Sequence, residues 1–257
     1  MRKIVLFLTT TLSVFGLSLV VGYRAHSQQV LQTEAMKPFI AHKRVLHTPG
    51  AQRTPTIQQE IYARRSDGSS VRKYEVASPA GETGWAVIIH DRRKNRNVKL
   101  EPFTKSATTF YYSHEEMPDK RPFEETCASP DLAAAANSSA EKVKEKMHGR
   151  EAVRAVTEDS YRQRTERTER WVAPDLDCYP LQKTITRHNG AHPETTVTEL
   201  EEMEPPDSMF EIPPDYVEAS PMHVEAAYAA KYPGYLLFGE QTLKLVNDRY
   251  FKNRNKR

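Results

Sequence analysis

The chain has 257 residues, of which 38% are hydrophobic and 28% charged, and its 37 lysines and arginines exceed its 34 aspartates and glutamates by a formal +3. Arg2, Lys3 and Arg24 supply that whole excess, so the remainder is balanced at 34 basic and 34 acidic residues. A neutral balance excludes the basic footprint that nucleic-acid binding requires, and with only 10 glycines the chain offers no phosphate-cradling loop for a nucleotide.

Residues 1–27 follow the order of a secretory signal. Arg2 and Lys3 open it, residues 4–22 carry no charge, and the small Ala25 and Ser27 precede a cleavage point before Gln28. The alternative is an uncleaved inner-membrane anchor, since the apolar run approaches the ~18 residues of a spanning helix. Thr9, Thr10, Thr11, Gly16 and Gly22 dilute that run and favour cleavage. No cysteine lies near the cleavage point, which argues against a lipid-anchored lipoprotein. The chain therefore reads as exported, periplasmic or secreted, with a mature part sized for one large or two small domains.

Residues 28–54 show no clear period and read as a linker-like segment. From residue 55 the pattern turns to alternation, with Ile57, Gln59, Ile61 and Ala63 on one side of a strand and Gln58, Glu60, Tyr62 and Arg64 on the other. Asp67 and Gly68 mark a tight hairpin, and Pro79, Ala80 and Gly81 a second turn. Trp85, Val87 and Ile89 then alternate with Ala86, Ile88 and His90, and Val98, Leu100, Phe110 and Tyr112 continue the meander. Residues 131–147 read as an inserted helix, with an alanine run, mixed i,i+3 and i,i+4 charge pairs and Gly149 as its stop. Strands resume near residue 151, and Asn189-Gly190 marks a further hairpin between residues 181–188 and 195–200. Short strands at this spacing predict a mainly β, α+β fold with one curved antiparallel sheet over residues 55–217. Residues 218–257 read as a helical, basic extension.

One order of features stands out across residues 149–216. A charged strand ends at Trp171-Val172-Ala173-Pro174, an alternating hairpin follows, and Phe210-Glu211-Ile212-Pro213 closes the run. This order resembles exported bacterial proteins of the LolA-like class, the outer-membrane lipoprotein-sorting proteins. The resemblance implies a half-open barrel whose concave apolar face binds acyl chains or other hydrophobic ligands. It points to Trp85, Phe110, Tyr112, Trp171, Phe210 and Ile212 as residues near that face, each of which an ordinary core would also use. The rival reading is a structural or interaction protein whose sheet is fully self-covered and whose partner is another envelope protein.

Residues able to carry chemistry are sparse. His188 and His192, with Glu194 nearby, have a metal-ligand look, but Gly190 and Pro193 make the segment a turn in which the rings need not converge. His114, Glu115 and Glu116 offer acid and base groups in a polar loop without the desolvated cleft such chemistry needs. Nucleophile-elbow, zinc-helix and Cys-x-x-Cys signatures are missing from the sequence, so no cofactor, metal or enzymatic activity is expected, an unrecognised hydrolase being the least favoured reading. The two cysteines, Cys127 and Cys178, read as one disulfide in an oxidising compartment, or as two buried thiols. The basic C-terminal end, with Tyr250 and Phe251, is either a solvated tail or a contact to an acidic membrane surface. N-terminal sequencing of exported protein should read from Gln28; a chain that starts at Met1 and sediments with membranes would show an anchor instead.

Overall fold

The computed structural model describes residues 36–47, 56–112, 144–161, 164–187 and 193–254. Among them the chain forms β1 (Phe39–His47), β2 (Thr56–Arg64), β3 (Ser70–Ala77), β4 (Thr83–Asp91), β5 (Arg96–Glu101) and β6 (Ser106–Tyr111) as a first meander. A second runs through β7 (Lys144–Met147), β8 (Arg150–Tyr161), β9 (Arg164–Ala173), β10 (Tyr179–Arg187) and β11 (Glu194–Glu201). The short β12 (Val217–Glu218) and two helices, α1 (Pro221–Lys231) and α2 (Glu240–Arg254), complete the described chain. All twelve strands share one sheet in the order β12-β6-β5-β4-β3-β2-β1-β11-β10-β9-β8-β7. Every pairing is antiparallel except β12 on β6, and the two end strands do not meet, so the sheet is open.

β1 joins the meanders. It pairs along its full length with β2, from Phe39 opposite Arg64 to His47 opposite Thr56, and on its other edge with β11 across a bulge at His42 and Lys43. The linker-like reading of residues 28–54 is thus corrected over Phe39–His47. Phe39 and Ala41 are fully buried and Lys43 nearly so, an alternation that the interposed His42 and Arg44 hide when hydrophobicity alone is scanned.

The expected helix over residues 131–147 is corrected at its end. Lys144–Met147 is an edge strand paired with β8, and residues 113–143 lie outside the described part. His148 and Gly149 both take positive φ, 51° and 75°, which makes a tight turn instead of a helix stop. The lysine and glutamate alternation that mimics helical charge pairing serves a cross-strand ion pair, Lys144 to Glu151 at 2.8 Å.

The stretch from Trp171 to Leu181 is a corner between β9 and β10. Pro174 begins one turn of 3-10 helix (Pro174–Leu176), where its missing N–H costs nothing, and Leu176 is fully buried. Asp177 and Cys178 both adopt left-handed backbone at φ of 62° and 58°, uncommon for side-chain-bearing residues. The Cys178 N–H donates to the Ala173 carbonyl at 2.9 Å, and the Leu176 carbonyl accepts from the Arg64 guanidinium at 3.1 Å. Arg150, nearly buried, pairs with both Asp175 and Glu202, and Lys37 reaches the same two carboxylates at 3.3 and 2.7 Å. This cluster ties the corner to the starts of β1 and β8 and the end of β11.

The core beneath β1 is aromatic. Phe39, Tyr62 and Tyr179 have ring centroids 4.6–5.8 Å apart and are joined by Ala41, Leu176, Leu181 and Val197. Beside them Lys43 is bonded to Glu60 at 3.0 Å, and Arg72 grips the same carboxylate at 2.7 and 2.9 Å. Burial pushes the Glu60 carboxyl up, but Lys43 and Arg72 more than offset this and hold it below the usual carboxylate range. Because its folded pKa lies below the unfolded value of ~4.3, the clamp contributes fully above that pH and is lost as pH falls through the folded pKa. Glu60→Gln should therefore flatten the acid limb of the stability curve and cost about 3 kcal/mol at neutral pH by leaving Lys43 buried without its counter-charge. Urea unfolding between neutral and acid pH checks this; an unchanged acid slope would contradict it.

Candidate functional site

Across β3–β6 the period-2 alternation gives the sheet two covered faces. On one face Val71, Ile89, Val98, Leu100 and Ala107 pack against Phe210, with Met209, Ile212 and Tyr216 closing over them. A short turn of 3-10 helix (Asp207–Phe210) delivers Phe210, and the Arg65 guanidinium lies 3.7 Å from its ring centroid. The register puts Tyr74 opposite Ala86, Ile88 opposite Lys99 and Lys99 opposite Thr108, so these residues share the other face with Phe110.

The C-terminal helices lie over that second face. β12 brings the chain there, with the Val217 and Ala219 N–H groups donating to the Lys105 and Ala107 carbonyls at 2.9 and 2.8 Å. Ser220 then caps α1 by accepting from the His223 N–H, and Pro221 occupies the first turn. Pro221, Val224 and Tyr228 recur at helical spacing and are buried. The far end of α1 is fixed by Tyr232, whose hydroxyl donates to Glu82 and whose ring meets Phe103 edge-on at 6.2 Å. Lys231 also bonds the Phe103 carbonyl at 3.1 Å. On α2, Tyr250 is buried with its ring edge-on to Phe110 at 5.9 Å.

Between helices and sheet lies a cavity of about 350 Å³. Its floor is Tyr74, Val76, Ala86, Ile88, Lys99 and Phe110 from the sheet. Val224 and Tyr228 of α1, Val246 of α2, and Leu237 and Phe238 of the connection between them form its roof. That connection is held by a buried carboxylate, as Glu225 accepts from the Leu237 and Phe238 N–H groups at 3.1 and 2.9 Å. The size falls at the small end of the ~300–1,000 Å³ typical of small-molecule sites, and the lining is mainly apolar.

The six residues expected on one apolar face are not brought together. Phe110 lines the cavity, and Tyr112 stands just beyond the end of β6, its hydroxyl accepting from Asn97 at 2.9 Å. Trp85 is on the opposite face, opposite Glu75 in the ladder and with the Lys73 ammonium 5.1 Å from its ring. Phe210 and Ile212 cover that same opposite face as core. Trp171 sits half-buried in the other half of the sheet, packed against the aromatic core under β1. The reason is the sheet's length: side chains of like character from distant strands alternate between two covered faces instead of converging on one.

Residues 218–257 read as a helical, basic extension, with none of the roof residues assigned to an apolar face. Their signal is the helical spacing of Pro221, Val224 and Tyr228 and of Leu243, Val246 and Tyr250. Of the chemistry-bearing groups, His114, Glu115, Glu116, His188 and His192 lie outside the described residues, and Glu194 accepts from Gln182 and Thr196 side chains. Cys178 is fully buried and disulfide-bonded, while Cys127 lies outside the described residues. The β1–β11 register gathers His42, Glu199 and Glu201, whose ligand atoms come within 4.8 Å of one another on an open strand pair. Exposed acidic side chains collect in this way without an ion, and the cluster carries no assignment.

No family model matches the sequence, and no curated protein matches it. Among solved structures the chain is similar to a LolA superfamily protein from Nitrosomonas europaea, at 8% identity over 68% of this chain and 90% of that one, with a TM-score of 0.33. It is also similar to a domain described as outer membrane lipoprotein-sorting from Vibrio parahaemolyticus, at 11% identity over 72% and 94% of the two chains and a TM-score of 0.33. A third is MucB in complex with MucA(peri), at 14% identity, where 71% of this chain covers 56% of that one with a TM-score of 0.37. These neighbours include the class that the strand order of residues 149–216 resembles. At such scores they carry no weight for the site, which rests on the geometry above.

Trp171 lies away from the cavity and packs against the core under β1. Trp171→Ala should lower stability by about 2–3 kcal/mol, less than the ~3–5 of a fully buried tryptophan, and leave uptake of a hydrophobic dye unchanged. A melting curve beside a dye titration checks both; unchanged stability with lost uptake would place the binding site at β9.

Proposed function

We propose that the protein is an exported, non-catalytic binding protein that takes up an apolar ligand between its C-terminal helices and the sheet. The observation that carries this reading is the cavity of about 350 Å³ walled by Ile88, Phe110, Val224, Tyr228 and Val246. A covered sheet face that served stability alone would close such a space, since voids forfeit packing contacts. The signal-like order of residues 1–27 supports export, and a disulfide at Cys178 fits an oxidising compartment, with Cys127 as its partner. A non-catalytic role is supported by four carboxylates, Glu60, Glu101, Glu202 and Glu225, that hold structural donors.

A second reading, contact with an envelope partner through the C-terminal helices, is favoured by Leu236 and Leu245, which remain 68% and 71% exposed. Tyr235 and Phe251 are exposed as well, beside the cations Lys244 and Lys252.

Filling the cavity separates the two readings. Ala86→Phe places a ring into the space from the sheet side and should abolish uptake of a hydrophobic dye while the melting temperature holds. Organic extraction of the unmodified protein, purified from its own envelope, should release an apolar ligand. Undiminished dye uptake by Ala86→Phe would overturn the site; exposed-patch contacts would be untouched by it.

A further inference from the structure

We propose that the cavity is selective for a single-chain anionic amphiphile, an aliphatic chain ending in a carboxylate or phosphate, with Lys99 and Arg249 as the partners of its head group. This rests on the apolar-ligand reading above and names the chemistry of the ligand.

Lys99 is the cation on the cavity floor, set by the register between Ile88 and Thr108. Arg249 comes from α2, three residues after the roof residue Val246, with its guanidinium 5.6 Å from the Tyr112 ring centroid. Among the described residues neither side chain forms an ion pair. Lys99 and Arg249 are both exposed residues, yet the atoms packed around the Lys99 ammonium first and the charge of Arg249 second hold it below the ordinary lysine range. The charge of Arg249 thus acts on Lys99 from beside the cavity, and an anion at Lys99 relieves it.

The acids nearby are already committed. Glu101, two residues along the same face as Lys99, accepts from the Phe103 and Thr104 N–H groups at 3.1 and 2.6 Å. Glu225 holds the backbone of Leu237 and Phe238, and Glu82 takes the Tyr232 hydroxyl and the Lys231 ammonium. A cationic ligand would meet repulsion, and a neutral one would leave both cations without a counter-charge. The volume of about 350 Å³ suits one chain better than two.

The test uses the full mature chain and displacement of a bound hydrophobic dye by dodecanoate, dodecyl phosphate, dodecan-1-ol and dodecyltrimethylammonium, each below its micelle-forming concentration. Both anions should bind about tenfold or more tightly than the alcohol, the scale of one charged hydrogen bond, and the cation most weakly. Comparing the two anions tells a carboxylate head group from a phosphate. Lys99→Met should bring the anions down to the level of the alcohol measured on the same variant, and Arg249→Gln should give a smaller loss. The ranking on the unmodified chain stands even where a variant folds poorly, and melting curves identify such a variant. Equal binding of anion and alcohol, or a preference that survives Lys99→Met in a folded variant, would overturn the head-group assignment and leave the apolar site standing. Failure of every ligand to displace the dye would overturn both.

Discussion

The two ladders of β1 are the constraint on which the rest depends. Without β1 the strands β2–β6 would end at β2 and the second meander at β11, and an unpaired edge is a row of unsatisfied backbone groups. β1 satisfies both at once, which makes one continuous sheet of two meanders. Its buried face then assembles what the neighbouring strands cannot bury alone. Phe39 stacks with Tyr62 and Tyr179, and Lys43 joins the Glu60–Arg72 pair. Arg64, fully buried, lies 4.8 Å from the Phe39 ring and donates to the carbonyls of Lys37 and Leu176. Burial pushes its guanidinium down to about 10, so it stays charged at neutral pH and its bonds keep their charge-assisted strength.

A twelve-stranded sheet offers more apolar surface than its own meanders cover, and the chain after β11 does the covering. Across β3–β6, Phe210 and Ile212 close one face, and α1 with α2 lies over the other. The two coverings differ in kind. Phe210 is fully engaged with its neighbours, whereas the helices stand off the sheet far enough to leave a cavity, held there by Tyr250 on Phe110 at one end and Tyr232 on Phe103 at the other. The cavity is therefore a by-product of how two helices are propped on aromatic pillars, and the cation in its lining is Lys99.

The β-rich character, the Asp67–Gly68 turn and the corner after Trp171 were legible because each has a local cause: period-2 alternation, a positive φ of 81° at Gly68, a proline without an N–H. β1 was not legible, because the buried face of a central strand here includes Lys43, whose place is set by Glu60 seventeen positions later. The strand at Lys144–Met147 was misread for the complementary reason, as its charge alternation satisfies helical and strand templates alike. For the site, Phe110 was named but its partners were not. Which face of a strand an aromatic residue joins is decided by register and by what covers that face, and neither is written in the residue's own neighbourhood.

The proposed binding site places an aliphatic chain between α1, α2 and the β4–β6 face. Photo-crosslinking with a fatty acid carrying a light-activated group at its chain end, followed by peptide mass spectrometry, tests it most directly. Label is expected on the peptides that carry Ile88, Phe110, Val224, Tyr228 or Val246, suppressed by an excess of unlabelled fatty acid. Label confined to β7–β11, or spread over the surface and indifferent to competitor, would contradict it.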